Sequence, residues 1–312
     1  MRKIGILILL VGLSLNSWAQ QKDFLKITER KINGQVLPSF YNKKAKNASY
    51  KINQTILLAL GMSHDSIAPD DSLNRWQTEV HFNDKNLLSF TLKDSNQIEK
   101  SFAFNAATGA LLSLQELFTP NALNLIKKEI VKSQNNLLQN SKLPSLSRQM
   151  EKCLKEDIGD FKLTADTVII FSSHCSSIDT FGVQTYYSMA TGFSSQKLSS
   201  YLNVYGKSLF GIIRKPKPKH FKSTGVAGYY EGKYGQKEVY LLLENPIEKS
   251  LKGVFYFPED KRSIPFSGTF KSNRFTTILD GAKLNVVISS GLFTGSIRRS
   301  SKDIIYLKLN KN

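Results

Sequence analysis

Residues 275–298 have the sequence FTTILDGAKLNVVISSGLFTGSIR, and this stretch decides the fold of the C-terminal part of the chain. Within it, apolar and polar residues alternate with the two-residue period of a β-strand in three runs: Phe275–Leu279, Leu284–Ser289 and Leu292–Arg298. Asp280–Gly281 separates the first two runs and is a residue pair that favours a tight hairpin turn. The stretch therefore predicts consecutive antiparallel strands.

The same pattern extends over residues 223–312. Five further runs alternate in the same way: Val226–Tyr234, Glu238–Leu243, Leu251–Phe257, Ser263–Phe270 and Ile304–Leu309. From Phe221 to Asn312 the chain contains nine Gly and no Cys, Met or Trp. Eight short strands with tight connections predict an up-and-down β-barrel, with a β-sandwich as the alternative. The interior of an eight-stranded barrel is either filled by side chains or able to hold one small ligand, and both outcomes stay open at this point.

The alternation also predicts which side of each strand faces the core. Ile264, Phe266 and Phe270 share one face of their strand, and we expect them to point into the barrel. On the last strand the same rule places Leu307 inside and Lys308 outside.

Residues 21–212 mix helical and strand signals and predict an α+β domain built on an antiparallel sheet. One helix is predicted up to Leu60, and a second should begin at Pro120 after the N-cap Thr119. The apolar face of this second helix comprises Leu123, Ile126, Ile130 and Val131. An antiparallel meander is predicted from three runs: Trp76–Phe82, Leu87–Leu92 and Ile98–Phe104. Further segments are a helix over Ser147–Glu156, strands over Thr167–Ser172 and Val183–Met189, and a last helix over Gln196–Leu202.

The segment Arg214–His220, with the sequence RKPKPKH, separates the two parts. Prolines that alternate with cations favour an extended, solvated chain, so residues 213–222 are predicted to be a linker that few contacts cross. The alternative is a basic site for an anionic polymer.

The first 20 residues have the pattern of a signal peptide. Arg2 and Lys3 precede an apolar run from Ile4 to Leu15, and Ser17–Ala19 offers a cleavage site of small residues. We therefore expect cleavage after Ala19 or Gln20 and export to the periplasm or beyond. No later stretch reaches about 18 apolar residues, so no transmembrane span is expected.

Composition and charge limit the classes of partner. The 312 residues are 41% hydrophobic, which excludes a wholly disordered protein. Lys and Arg number 43 against 25 Asp and Glu, and the formal net charge is +18. Because an exported protein rarely meets nucleic acid, anionic envelope polymers and membrane surfaces are the more plausible partners, and the charge also favours solubility.

The sequence contains none of the common catalytic signatures. A nucleophile elbow, an H-E-x-x-H zinc motif, a phosphate-binding loop and a dinucleotide fingerprint are all missing. His64, His81, His174 and His220 are too scattered to form a pair with ligand spacing. The sequence therefore predicts no catalytic residue, no metal site and no cofactor.

Export changes the interpretation of the two cysteines. Cys153 and Cys175 would enclose a loop of about 20 residues, and such a disulfide would stabilise the fold by roughly 3 kcal/mol. The alternative is a pair of small buried hydrophobic residues, because spacing alone does not supply the required Cα separation.

Several short motifs over residues 30–210 resemble one family. They are Pro38, Tyr50–Ile56 (YKINQTI), Leu87–Phe90 (LLSF), Phe102–Gly109 (FAFNAATG) and Leu112–Phe118 (LSLQELF). In this combination they are similar to the extracellular domain shared by the lysozyme-binding anti-sigma factor RsiV and by exported proteins associated with polysaccharide deacetylases. The turn that often contains Gly-Ala-His in that family is replaced around Gln97–Glu99, and the metal-binding motifs of a deacetylase domain are missing.

The resemblance implies an α+β fold and a location in the cell envelope, with a wall glycan or a wall-degrading enzyme as partner. The C-terminal part resembles the small β-barrel modules of exported Bacteroidetes proteins and, loosely, avidin-like barrels. An avidin-type biotin site requires several Trp residues, whereas the expected mature chain has only Trp76, which lies outside the barrel.

We therefore expect a non-catalytic, exported binding protein. One alternative is an envelope hydrolase acting on wall glycan, which would need two carboxylates or a His–carboxylate pair facing each other in a cleft. The other alternative is a barrel that carries a small apolar molecule.

Overall fold

The computed structural model describes residues 23–32, 35–60, 76–94, 99–139, 158–164, 167–172, 175–178, 184–187, 190–221, 225–244, 246, 249–300 and 303–311. In the N-terminal half, strands β1 and β2 form a hairpin, helix α1 follows, and strands β3, β4 and β5 form an antiparallel sheet in that order. Their bounds are Lys26–Ile32 (β1), Gln35–Tyr41 (β2), Lys46–Ala59 (α1), Gln77–Asn83 (β3), Leu87–Lys93 (β4) and Glu99–Asn105 (β5). The predicted first helix and meander are confirmed, whereas the hairpin β1–β2 was not foreseen.

Helix α1 and strand β2 pack on one face of the meander, where Ile52 and Ile56 of α1 join a cluster of aromatic rings. The ring of Phe90 on β4 stacks on Phe40 of β2 at 4.6 Å between centroids and on Phe102 of β5 at 5.3 Å. Asn53 in the middle of α1 fixes the helix to β2, because its side chain accepts from the Phe40 N–H and donates to the Phe40 carbonyl, both at 2.9 Å. The Ile-Asn motif of the sequence therefore joins a helix to a strand.

Gly109 lies where the turn after β5 passes close to α1. Its φ is +78°, and a Cβ at this position would lie 2.7 Å from the Ala48 carbonyl oxygen. Only glycine combines this backbone conformation with so close an approach. Packing against α1 thus requires glycine at position 109.

A second layer covers the other face of the meander. Its core joins this face to α2 (Leu114–Leu117), α3 (Pro120–Gln139), β6 (Ile158–Leu163), β7 (Thr167–Ser172), β10 (Ala190–Ser194), α4 (Ser195–Ser199) and α5 (Val204–Leu209). The chain also forms β8 (Cys175–Ile178), β9 (Gln184–Tyr187) and a 3-10 turn at Pro218–His220. β10, β7 and β6 form one antiparallel sheet, and β8 pairs with β9. Among the helices described, none is long and apolar enough to span a membrane.

The predicted start of α3 is confirmed, since Thr119 Oγ1 accepts from the Ala122 N–H at 3.3 Å. Ile126 and Ile130 are buried as expected. The prediction for Val131 was wrong: its side chain is 38% exposed, and Ala122 is buried on the core side instead. The predicted helix over 147–156 lies outside the described residues.

The C-terminal half is a closed antiparallel barrel whose eight strands follow one another in chain order. They are β11 (Gly228–Tyr234), β12 (Lys237–Leu243), β13 (Ser250–Phe257), β14 (Arg262–Lys271), β15 (Arg274–Leu279), β16 (Ala282–Ser289), β17 (Leu292–Arg298) and β18 (Ile304–Lys311). Pairing of β11 with β18 closes the barrel. The up-and-down prediction is confirmed, and the sandwich alternative was wrong.

Side chains pack the interior of the barrel. The ring of Phe266 lies 4.9 Å from Phe255 and 5.4 Å from Phe275, and Phe293 makes an edge contact with Phe255 at 6.0 Å. Leu307 is 3% exposed, whereas Lys308 is exposed, so the predicted strand phase is confirmed. Packed rings occupy the space that a carrier would reserve for its ligand, and this counts against the apolar-carrier hypothesis.

Part of the outer barrel surface is also buried, because helix α1 covers β11–β13. Leu58 of α1 packs against the outward-facing side chains of these strands, namely Tyr229, Leu242, Val254 and Tyr256. The expectation that few contacts join the two halves is therefore wrong. The physical reason is that the outer face of these three strands is apolar and would otherwise be left in water.

A buried ion pair supports the same interface. Lys311 Nζ at the end of β18 lies 3.5 Å from Glu116 Oε1 on α2, and both side chains are at most 3% exposed. Lys311 Nζ also donates to the Gly225 carbonyl at 2.9 Å, while the Gly225 N–H donates to Glu116 at 3.2 Å. Burial lowers the pKa of Lys311, and Glu116 opposes that shift.

The segment Arg214–His220 is mostly exposed, as expected of a linker, but the chain around it is held at several points. Pro218 is buried, and its carbonyl accepts from the Asn105 side chain at 3.1 Å. Tyr205 stacks on Phe221 at 4.7 Å. The linker therefore runs along the first half of the molecule, and the boundary at residues 213–222 stays a prediction.

Candidate functional site

An open groove of about 440 Å³ lies between the hairpin β1–β2 and the beginning of β3. It is lined by Ile27, Thr28, Glu29, Pro38, Trp76, Gln77 and Thr78. This volume is within the range of roughly 300–1,000 Å³ that is typical of small-molecule sites. The lining combines one indole ring with hydroxyl, amide and carboxylate groups.

Trp76 is held at one end of the groove by three contacts. Its indole N–H donates to Gln35 Oε1 at 3.0 Å, and its backbone N–H donates to the Val36 carbonyl at 3.1 Å. Part of the ring packs against the buried residues Ile32 and Leu37. The indole is therefore oriented before any ligand arrives.

Asn83, the last residue of β3, joins that strand to the residues that precede β1. Its side chain accepts from the Leu25 N–H at 2.9 Å and donates to the Leu25 carbonyl at 2.8 Å. The neighbouring Phe24 N–H donates to the Asn83 carbonyl at 3.1 Å. Hydrogen bonds on Trp76 and Asn83 therefore fix both ends of the β3 segment to the hairpin and to the residues before it.

A second polar cluster lies on β3–β5. His81 Nε2 lies 3.0 Å from Thr91 Oγ1, which lies 3.2 Å from Ser101 Oγ, while His81 Nδ1 lies 3.8 Å from Glu79 Oε1. His81 sits at the β-bulge of β3, where the register with β4 shifts between Val80 and Phe82. This bulge could not be foreseen from the alternation of the strand.

The electrostatics of this cluster favour a neutral imidazole and an ionised carboxylate. Burial lowers the pKa of His81, and the nearby Lys162 and Lys93 act in the same direction against the opposing effect of Glu79. Burial tends to raise the pKa of Glu79, but Lys162, His81 and Lys93 outweigh it and lower that pKa.

The cluster has the residue types of a catalytic triad but not its accessibility. Thr91, the hydroxyl that the imidazole contacts, has no exposed surface. A nucleophile must reach the substrate while bonded to its base, so this arrangement is better explained as a hydrogen-bond network that satisfies buried polar groups.

The cysteines and the other histidines named from the sequence form no site in the described residues. Cys153 lies outside the described residues, and Cys175 begins β8 opposite Tyr187, with its side chain not described. The disulfide therefore stays a prediction. His64 and His174 lie outside the described parts of the chain, and His220 is an exposed residue at the end of the 3-10 turn. In the described residues, no three His, Cys, Asp or Glu side chains are grouped as metal ligands would be.

The groove was not predicted from the sequence because the hairpin β1–β2, which forms one of its walls, was not predicted. A signal was present: the runs KITERKI and QVLPSFY flank Asn33–Gly34, a dipeptide typical of two-residue hairpin turns. Pro38 within the second run and the charges of the first obscured the strand pattern.

No protein-family model matches the chain, and no curated protein matches it either. Among solved structures, the chain has a partial likeness to a protein with unknown function from the DUF3598 family of Nostoc punctiforme. The identity is 9%, the match covers 76% of this chain and 88% of that chain, and the TM-score is 0.20. A likeness at this TM-score supports no statement about fold or function.

Proposed function

We propose that this protein is an exported, non-catalytic protein of the cell envelope that binds a wall glycan in the groove beside Trp76. The observation that carries the proposal is the fixed indole at the end of a groove whose other side chains are largely polar.

The chemistry of a sugar ring fits this lining. A pyranose has C–H faces that pack on an aromatic ring and hydroxyl edges that need hydrogen-bond partners. Trp76 supplies the ring, while Thr28, Gln77 and Thr78 supply donors and acceptors. A groove that is open rather than closed accepts a chain of sugars as well as a single unit.

The size of the groove favours a glycan over a wall-degrading enzyme as the direct ligand. A stable protein–protein interface involves about 20–30 residues on each partner, whereas the groove is lined by Ile27, Thr28, Glu29, Pro38, Trp76, Gln77 and Thr78 only. The resemblance of residues 30–210 to RsiV-like extracellular domains supports an envelope ligand of either kind, and the signal-peptide pattern of residues 1–20 supports export.

The alternative of a glycan hydrolase is less well supported. The described His–carboxylate pair, His81 with Glu79, directs its imidazole towards Thr91, which solvent does not reach. We therefore assign the groove to binding.

Tryptophan fluorescence tests the proposal directly, because Trp76 is the sole Trp of a chain that begins at Gln21. Titration with soluble peptidoglycan fragments should shift and quench its emission in a saturable manner. In calorimetry, Trp76→Ala should weaken the affinity at least tenfold. The matched control is Tyr41→Ala, an exposed aromatic residue of the same hairpin outside the groove, which should leave the affinity unchanged.

Equal binding by the Trp76→Ala variant, or capture of a wall-degrading enzyme without any glycan binding, would contradict this assignment. Export is checked separately by mass spectrometry of the protein from the native host. The N-terminus should be Gln20 or Gln21, and a chain that retains Met1 to Leu15 would exclude cleavage.

A further inference from the structure

The outer surface of strands β14–β18 is rich in exposed cations. These five strands contain no Asp or Glu. Together with Lys233 on β11, the exposed cations of these strands other than Arg262 form the surface that we call the basic face: Lys233, Lys271, Arg274, Lys283, Arg298 and Lys308.

The strand register places these cations directly opposite one another. Lys233 pairs with Lys308 across β11 and β18. Lys283 pairs with Arg298 across β16 and β17, and Lys271 pairs with Arg274 across β14 and β15. Like charges in directly opposed positions destabilise a sheet. Lys233 also lies directly opposite Glu238 on β12, which compensates its charge. The pairs Lys271–Arg274 and Lys283–Arg298 therefore oppose folding in the absence of an external anion.

Acidic partners are available elsewhere on the barrel, but they neutralise other cations. Lys237 binds Asp260 at 2.7 Å, and Arg262 binds Asp280 at 2.7 Å. Within the described residues, no carboxylate forms an ion pair with a cation of the basic face. Ion pairs within the described part of the chain therefore leave the cations of the basic face unneutralised.

This side is also the one that the N-terminal half leaves uncovered. Helix α1 packs on the outer surface of β11–β13, while β15, β16 and β17 lie on the other side of the barrel. Lys283 near the start of β16 and Arg298 at the end of β17 are both exposed.

Apolar side chains stand among the cations. Ile278 is 72% exposed and lies directly opposite Lys283, and Val287 is 47% exposed opposite Arg274. Tyr306 is 71% exposed on the neighbouring strand β18. A soluble polyanion would leave these apolar groups in water. The interfacial layer of a bilayer, in contrast, buries aliphatic and tyrosine side chains while nearby cations bind the lipid headgroups.

We propose that the basic face seats the protein on a bilayer surface rich in anionic lipids. Lys and Arg bind headgroup phosphates, and Ile278, Val287 and Tyr306 enter the interfacial layer. Each cation near an anionic membrane contributes about 1 kcal/mol, which is about a fivefold change in affinity. This inference uses a different surface from the groove and does not depend on glycan binding.

The test is flotation of the full-length mature protein with vesicles. Vesicles of phosphatidylcholine with 30–40% phosphatidylglycerol should bind it, and vesicles of phosphatidylcholine alone should not. Lys283→Gln combined with Arg298→Gln should weaken binding about 25-fold. The control, Lys217→Gln combined with Lys219→Gln, removes the same charge from the exposed linker and should weaken binding less than twofold.

Two further measurements separate a loss of membrane binding from misfolding and from simple charge attraction. Removal of two directly opposed cations should leave the urea midpoint unchanged or raise it, so lost binding will not reflect misfolding. Ile278→Ser combined with Tyr306→Ser should weaken binding to anionic vesicles but leave binding to dextran sulfate unchanged. The proposal is overturned if both charge variants act equally, if neutral vesicles bind as well, or if the apolar variant binds anionic vesicles like the wild type.

Discussion

The ion pair between Glu116 and Lys311 should carry a large part of the coupling between the two halves of the molecule. Lys311→Met keeps most of the side-chain volume and leaves the Glu116 carboxylate buried without its cationic partner. At 3.5 Å and an effective dielectric constant of about 20, the attraction of the two charges is about 5 kcal/mol. Removal of one partner of a buried pair typically costs about 3–5 kcal/mol, and we expect a loss in this range.

Urea unfolding measures this loss with two probes. Trp76 fluorescence reports the N-terminal half, and circular dichroism reports the barrel strands as well. The matched control is Lys308→Met, which changes an exposed lysine of the same strand and should alter the free energy of unfolding by at most about 0.5 kcal/mol.

A double-mutant cycle separates the charge from its surroundings. Glu116→Gln removes the buried charge but keeps only one acceptor oxygen, which can serve either the Gly225 N–H or the Ser113 N–H. The double variant Glu116→Gln with Lys311→Met should therefore recover part of the stability lost by Lys311→Met alone. A loss below about 1 kcal/mol for Lys311→Met, or a double variant less stable than the single one, would refute the reasoning.

Two further predictions concern the barrel core and the polar cluster. Phe266→Ala should lower the free energy of unfolding by about 3–5 kcal/mol in thermal or urea melts, because Phe266 packs between Phe255 and Phe275. The control Ser267→Ala, on the outer face, should change it by at most about 0.5 kcal/mol. The reverse order would mean that the strand phase is wrong. The pKa of His81 lies below its ordinary 6.5, so the unfolded chain binds the proton more readily than the folded one. The free energy of unfolding should therefore fall as the pH drops below 6.5, with a slope of at most about 1.4 kcal/mol per pH unit. Urea melts between pH 7.5 and pH 5 should show this dependence reduced in His81→Gln, and an unchanged profile would exclude His81 as its source.

Much of the fold could be predicted from the sequence because strand and helix periods are local. Residues 263–309 alternate strictly enough to fix both the strands and the face of each that is buried, as Phe266 and Leu307 show. Pro120 after Thr119 likewise marked the start of α3. Where the alternation fails, the failure has a cause: Leu241, Leu242 and Leu243 are all buried because α1 covers the outer surface of β12.

The groove and the basic face could not be predicted from the sequence. The groove joins Thr28 to Trp76, and the basic face joins Lys233 to Lys308, so each depends on pairs that are distant in the chain. Neither set forms a motif, because hydrogen bonds and register, not spacing, bring the residues together.

By itself, the sequence determined the barrel, the meander and the phase of their strands, since each follows from periodicity over a few residues. Only the tertiary structure decided that α1 closes on the outer barrel surface, that Glu116 meets Lys311 across 195 positions, and that three pairs of cations face one another on the uncovered side. The reason is physical: local patterns set which face of an element is apolar, but which element covers that face depends on contacts between distant segments that form only when the chain is folded.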